Sequence, residues 1–153
     1  MLQTPTKFTV VAASAEGKNR LNAFDNALLA SGIGNLNLLK VSSILPPAAT
    51  EFDHVGLPPG SLMPTAYGTI QSDRAGERIA AAVGVGIGAH DEYGLIMEFS
   101  GRCSAEEAHE AIRRMLEEGF AARDRELKRT IIRSTEHTVV EIGCAFAAVA
   151  LWY

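Results

Sequence analysis

The chain has 153 residues, with 14 Lys and Arg against 18 Asp and Glu, a formal net charge of -4 and 47% hydrophobic residues. That length suits one domain with a real core, and the mildly acidic balance without a Lys/Arg cluster speaks against nucleic-acid or anionic-membrane partners while suiting a cationic ligand. Cys103 and Cys144 are too few and too far apart for a disulfide framework or a thiol metal cluster, and MLQTPTKFTVV lacks the features of a signal peptide, so the expectation is a cytoplasmic protein with reduced thiols.

Phe8 to Ala13 is a short apolar, β-branched run that predicts a buried strand, and Glu16-Gly17-Lys18-Asn19 predicts a turn into a helix. In that helix Leu21, Phe24 and Leu28 recur at helical spacing, with Gly32 as its C-cap. Asp25 sits beside the stripe, where its residue type alone suggests solvent. Leu36 to Val41 predicts a second strand, with Asn37 among its apolar residues, where a buried amide would need partners.

This strand stops at Ser42-Ser43, just before Pro46-Pro47. A serine hydroxyl can attack the carbonyl of the residue before it, turning the peptide into an ester that β-elimination then splits. Ser43 could therefore cut the chain after Ser42 and be left as a ketone-bearing pyruvoyl group. Serine and proline are also ordinary turn residues, and by themselves these positions read as the end of a strand.

From Pro46 to Thr65, Pro47, Pro58, Pro59 and Pro64 interrupt any periodicity, which predicts a loop able to rearrange after a cut. Thr65 to Ser72 and Arg78 to Gly88 predict strands. The glycines at 84, 86 and 88 open no helix in a GxGxxG pattern, so they do not imply a nucleotide; they leave one strand face bare for close approach. His90-Asp91-Glu92 predicts a hairpin tip, and the four histidines lack metal-site spacing, so no metal is implied.

Leu95, Met97 and Phe99 alternate with Ile96, Glu98 and Ser100 in a strand apolar on both sides. Glu98 is either a solvent-facing edge residue or a buried carboxyl, whose raised pKa would let it donate a proton near neutrality. Ser104 and Glu107 form a capping-box pattern ahead of a helix with Ala108, Ile112, Met115, Leu116 and Phe120 on one stripe. Thr130 to Ser134 and Thr138 to Trp152 predict the last strands. The latter contains Glu141 and falls short of the roughly 20 residues a membrane helix needs. Together these elements predict an α+β domain whose sheets are covered by further sheet or helix layers.

Four stretches, NAFDNALLASGIGNLNLLKVSSILPP, RIAAAVGVGIG, GLIMEFSG and SAEEAHEAIRRMLEEG, resemble the pyruvoyl-dependent arginine decarboxylases, over a span from about Phe8 to the C-terminus. The resemblance implies a four-layer αββα sandwich, self-cleaved into a β chain of residues 1–42 and an α chain of residues 43–153. It further implies a trimer or dimer of trimers with active sites between subunits. The activity implied is decarboxylation of L-arginine to agmatine and CO2 through a Schiff base with a pyruvoyl group made from Ser43, without pyridoxal phosphate.

By the same resemblance Glu98 is the proton donor, Asp25 the bidentate partner of the guanidinium, Asn37 an aid to cleavage and Ser42 the other side of the cut. Two other readings stay open. One is a hydrolase in which cleavage exposes Ser43 as an N-terminal nucleophile; the other is an unprocessed, non-catalytic oligomeric relative. Because other pyruvoyl decarboxylases act on histidine or aspartate, the choice of arginine turns on Asp25.

Overall fold

The computed structural model describes residues 2–153. In chain order the elements are β1 (Lys7–Glu16), α1 (Arg20–Ala30), β2 (Asn37–Lys40), β3 (Ile44–Leu45), β4 (Thr50–Glu51), β5 (Leu62–Ser72), β6 (Arg78–Ile87), β7 (Gly94–Gly101), α2 (Ala105–Ala121), β8 (Arg129–Thr138) and β9 (Gly143–Trp152). The strands form two sheets, ordered β2-β5-β9-β1-β4 and β3-β7-β6-β8. The β1–β4 and β2–β5 pairs are parallel, and the other pairs are antiparallel.

Three apolar layers hold the molecule together. β9 is buried at every position, which its Ala-rich sequence allows because small side chains let both faces be covered closely. Ala145, Ala147, Val149 and Leu151 face the inner layer, where they join Ile79, Ala81, Val83 and Val85 of β6. On the opposite face, Cys144, Phe146, Ala148 and Ala150 pack with Ala23, Ala27 and Leu28 of α1. Outside the second sheet, Ala80 and Ala82 of β6 meet Ala108, Ile112, Leu116 and Phe120 of α2. The order is therefore helix, sheet, sheet, helix in an α+β sandwich.

Both helices begin with satisfied caps. The Asn22 N–H donates to Asn19 Oδ1 at 2.9 Å ahead of α1, and the reciprocal Ser104–Glu107 capping box opens α2. α1 ends with Gly32 at φ +85°, its N–H donating to Leu29 O and the Ile33 N–H donating to Leu28 O. This is the left-handed turn for which glycine is best suited. The expected stripe of Leu21, Phe24 and Leu28 is rotated: Ala23, Ala27 and Leu28 are buried, whereas Leu21 is 75% exposed. The alanines let α1 sit close to β9, and close approach outweighs the larger side chain.

The bare face of β6 receives α2. A Cβ at Gly84 would collide with Ile112, and one at Gly86 would lie 2.7 Å from Phe120. Elsewhere the structure departs from expectation. β5 begins at Leu62 and runs through Pro64, because β2 pairs with residues 62–65 while the β9 ladder starts only at Thr65. The segment between β3 and β5 is tied down and is not a free loop. Phe52 N–H donates to Phe8 O, Phe52 packs on Trp152 at 5.3 Å, and Val55 and Leu57 join the α1 layer. The last expected strand is also split, with Glu141 in the exposed β8–β9 turn. No helix among the described residues is long and apolar enough to cross a membrane.

Candidate active site

The chain changes sheets at Val41–Ser43. On one side Val41 N–H donates to Thr65 O of β5, at 3.1 Å; on the other Ser43 O accepts from Ile96 N–H of β7, at 2.7 Å. β3 then continues antiparallel to β7, with Ile44 opposite Leu95 and Leu45 opposite Gly94. The Ser42–Ser43 peptide is therefore the bridge between the two sheets, gripped from a different sheet on each flank. Ser42 is exposed and Ser43 half-buried.

Extending the β3–β7 register by one residue sets Ser43 opposite Ile96, and residues directly opposite share a face of the sheet. Ile96 points into the inner layer, and Glu98, two residues along β7, points to the same side. Its carboxyl is half-buried, and burial lifts its pKa above the ordinary carboxylate value; nearby Lys40 opposes that rise. The Lys40 ammonium lies over the Tyr67 ring, 4.5 Å from its centroid. Gly68, the next residue of β5, faces Glu98 across the gap: a Cβ there would lie 3.3 Å from Glu98 Cβ.

Ser43 and Glu98 thus meet at one margin of the sandwich, carried by β3 and β7. Asn37 and Asp25 occupy other surroundings. Asn37 is exposed on β2, an edge strand, and is not among buried residues as its apolar neighbours suggested. Its Nδ2 donates to Gly60 O at 2.9 Å and its backbone N–H to Ser61 O, so it fastens the loop ahead of β5 to β2. Asp25 is exposed on α1, one turn from Leu21 on one side and Leu29 on the other, and these leucines are 75% and 49% exposed. Asp25 makes no ion pair among the described residues.

A family model described as pyruvoyl-dependent arginine decarboxylase matches residues 7–153. The chain belongs to this family. It is 51% identical over 150 residues to a pyruvoyl-dependent arginine decarboxylase of Methanocaldococcus jannaschii, an alignment covering 97% of this chain and 91% of that one. Proteins of the same name from Methanococcus maripaludis and Pyrococcus abyssi are 47% and 46% identical, over 99% and 98% of this chain and 93% and 96% of theirs.

Membership in the pyruvoyl-dependent decarboxylase family implies a covalent pyruvoyl group, and the residues around Ser43 fit one. A serine held by its own carbonyl to β7 keeps its place if the bond before it is cut, because the Ile96 contact and the β3 ladder all lie on the Ser43 side.

Lys40 and Gly68 were not singled out by sequence reasoning. Lys40 is the one charge in an otherwise apolar approach to Ser42, and Gly68 is a glycine inside a strand; both signals were present.

Proposed function

We propose that this protein decarboxylates L-arginine to agmatine and CO2, using a pyruvoyl group that Ser43 forms by cutting the chain after Ser42. The observation that carries the proposal is the Ser43–Ile96 hydrogen bond, which holds the serine on the strand that bears Glu98. In the cut, Ser43 Oγ adds to the Ser42 carbonyl carbon and the amide becomes an ester. β-Elimination then releases the Ser42 carboxylate and leaves a dehydroalanine, which tautomerises to an imine; water hydrolyses the imine, releasing ammonia and leaving a ketone at the new terminus. The single domain of residues 1–153 becomes chains 1–42 and 43–153. Asn37 serves the cut by fixing β2 against Gly60 and Ser61, so that Val41 is held while Ser43 reacts.

The pyruvoyl group supplies an electrophilic carbonyl for the substrate amine and a sink for the electrons left when CO2 departs. Glu98, whose pKa burial raises, delivers a proton to the substrate α-carbon. Asp25 receives the guanidinium through a charge-assisted pair.

Asp25 reaches the site by assembly. Leu21 and Leu29 beside Asp25, and Leu39, Ile44 and Leu62 around the Ser42–Ser43 margin, are exposed apolar side chains on two faces of one chain. Covering both in a trimer or dimer of trimers sets α1 of one copy against the Ser43 margin of the next, with active sites between subunits. The free thiols of Cys103 and Cys144 suit a cytoplasmic setting.

The intact mass of denatured protein tests the serine chemistry before any substrate is presumed. Two chains split after Ser42, the larger lighter by one ammonia than its free-serine form, are expected. Retention of that nitrogen would indicate an N-terminal serine hydrolase, and a single uncut chain would indicate a non-catalytic relative.

A further inference from the structure

Gly68 lies in the middle of β5, paired with Ala147 of β9 in regular extended backbone, so no turn and no left-handed dihedral calls for glycine here. Such a residue weakens a strand unless something must come close to it. What comes close is β7. Ser100 Oγ donates to Thr69 O at 3.1 Å, a direct bond from one sheet to the backbone of the other. A Cβ on Gly68 would meet Glu98 Cβ at 3.3 Å, Phe99 N at 3.4 Å and Glu98 Cγ at 3.5 Å. The residues two before and two after on β5, Ala66 and Ile70, do put side chains into the inner layer. The gap in that row falls opposite the carboxylic acid.

We propose that Gly68 is a positioning residue for Glu98, its bare Cα leaving the space between β5 and β7 in which the Glu98 side chain lies on the Ser43 side of the sandwich. The inference rests on the proton-donor role proposed above for Glu98. At this point β5 is held by its ladder to β9 and β7 by its ladder to β6, through Gly68–Ala147 and Glu98–Val83. An added methyl would press on Glu98 Cβ at 3.3 Å and on Phe99 N at 3.4 Å, neither of which a side-chain torsion can move, so β7 itself must give by a few tenths of an ångström and carry the carboxyl with it. A shift of the acid relative to the substrate carbon is costly to catalysis.

The test is a cycle of Gly68→Ala with Glu98→Gln, with Glu98→Gly as a folding control, read by intact mass, kcat, KM and pH profile. G68A is expected to process into two chains, to keep KM for arginine within about twofold and to lose about tenfold or more in kcat. Its basic limb should move to lower pH, because a β7 pushed off β5 lets water closer to the carboxyl and lessens the burial that raises its pKa. In an E98Q background G68A should lower kcat no further.

An unchanged kcat and pH limb in G68A would overturn the proposal, as would the same fractional loss in the E98Q background, which marks a merely structural glycine. If G68A does not fold, recovery of folding in G68A/E98G, which removes the Cβ that the methyl meets, supports the proposal, and failure of that double variant refutes it. Parental kcat in E98Q alone would instead remove the proton-donor reading itself, whatever G68A does.

Discussion

Glu98→Gln should separate catalysis from stability, because the same burial acts on both in opposite directions. The amide preserves shape but has no proton to give at neutral pH. General acid catalysis contributes about 10²- to 10⁴-fold. Burial and the Lys40 charge are what act on Glu98, with no side-chain hydrogen bond among the described residues to an acid that could replace it, so a loss within that range is expected. The ammonium of Lys40 is occupied over Tyr67.

The stability effect has the other sign. In the unfolded chain the Glu98 carboxyl releases its proton near the ordinary 4.5, whereas burial in the fold delays that release, with Lys40 partly offsetting the delay. As pH rises from 4.5 to the elevated folded value, the unfolded state holds fewer protons than the native state, so native stability falls through that window and then levels. A glutamine has no such penalty. The E98Q protein should match its parent in acid and become relatively more stable toward neutrality, as read by urea midpoints across pH alongside kcat and KM. Retained kcat, or a stability difference flat across pH, would refute the reasoning.

Asp25→Asn should raise KM for arginine by about tenfold or more, the effect of losing a charged partner, while leaving the two-chain mass unchanged; unaltered arginine kinetics would show that another group meets the guanidinium. Gly84→Ala drives a methyl against Ile112 and within 3.1 Å of Ile132 and Leu116, so chemical denaturation should show a loss of about 1–3 kcal/mol. Glu16→Ala removes the clasp on the β8–β9 turn, where Oε1 accepts from Val140 N–H at 2.7 Å and from Glu141 N–H at 2.6 Å, and Oε2 meets His137 Nε2 at 3.1 Å. Burial raises the Glu16 pKa, but the Glu141, His137 and Val140 contacts outweigh it and hold the value below 4.5. Its contribution, about 1–2 kcal/mol for hydrogen bonds to a charge, is therefore present above pH 4.5 and lost as pH falls, and E16A should abolish that acid-side slope in melting experiments.

How much of this was legible from residue order depends on whether the controlling contact is local. The both-face apolar runs of β6, β7 and β9, the capping box at Ser104 and the glycine turn at Gly32 are local, and each is found where pattern predicts it. Three misreadings share a different cause. Pro64 reads as a break, yet β5 passes through it because β2 lies alongside. Leu21 reads as core, yet the alanines on the next flank of α1 pack closer to β9 and turn it outward. Asn37 reads as buried among leucines, yet β2 is an edge strand and its amide reaches Gly60.

The site repeats this division. Ser43 and Glu98 could be named from the motifs around them, but 55 residues of numbering separate positions 43 and 98, and no periodicity in either segment states that they share a margin. That they share a face is decided by one register within a sheet, the Ser43–Ile96 bond that extends the β3–β7 ladder. The space for the Glu98 side chain is decided by another strand in the other sheet, at Gly68. A serine that is to cut its own chain and stay in place must be anchored after the cut and loose before it. Crossing between sheets at Val41–Ser43 provides that asymmetry: three consecutive residues, Ser43 to Leu45, hold to β7, while beyond Val41 the exposed Ser42 has no strand partner to keep its new carboxylate near.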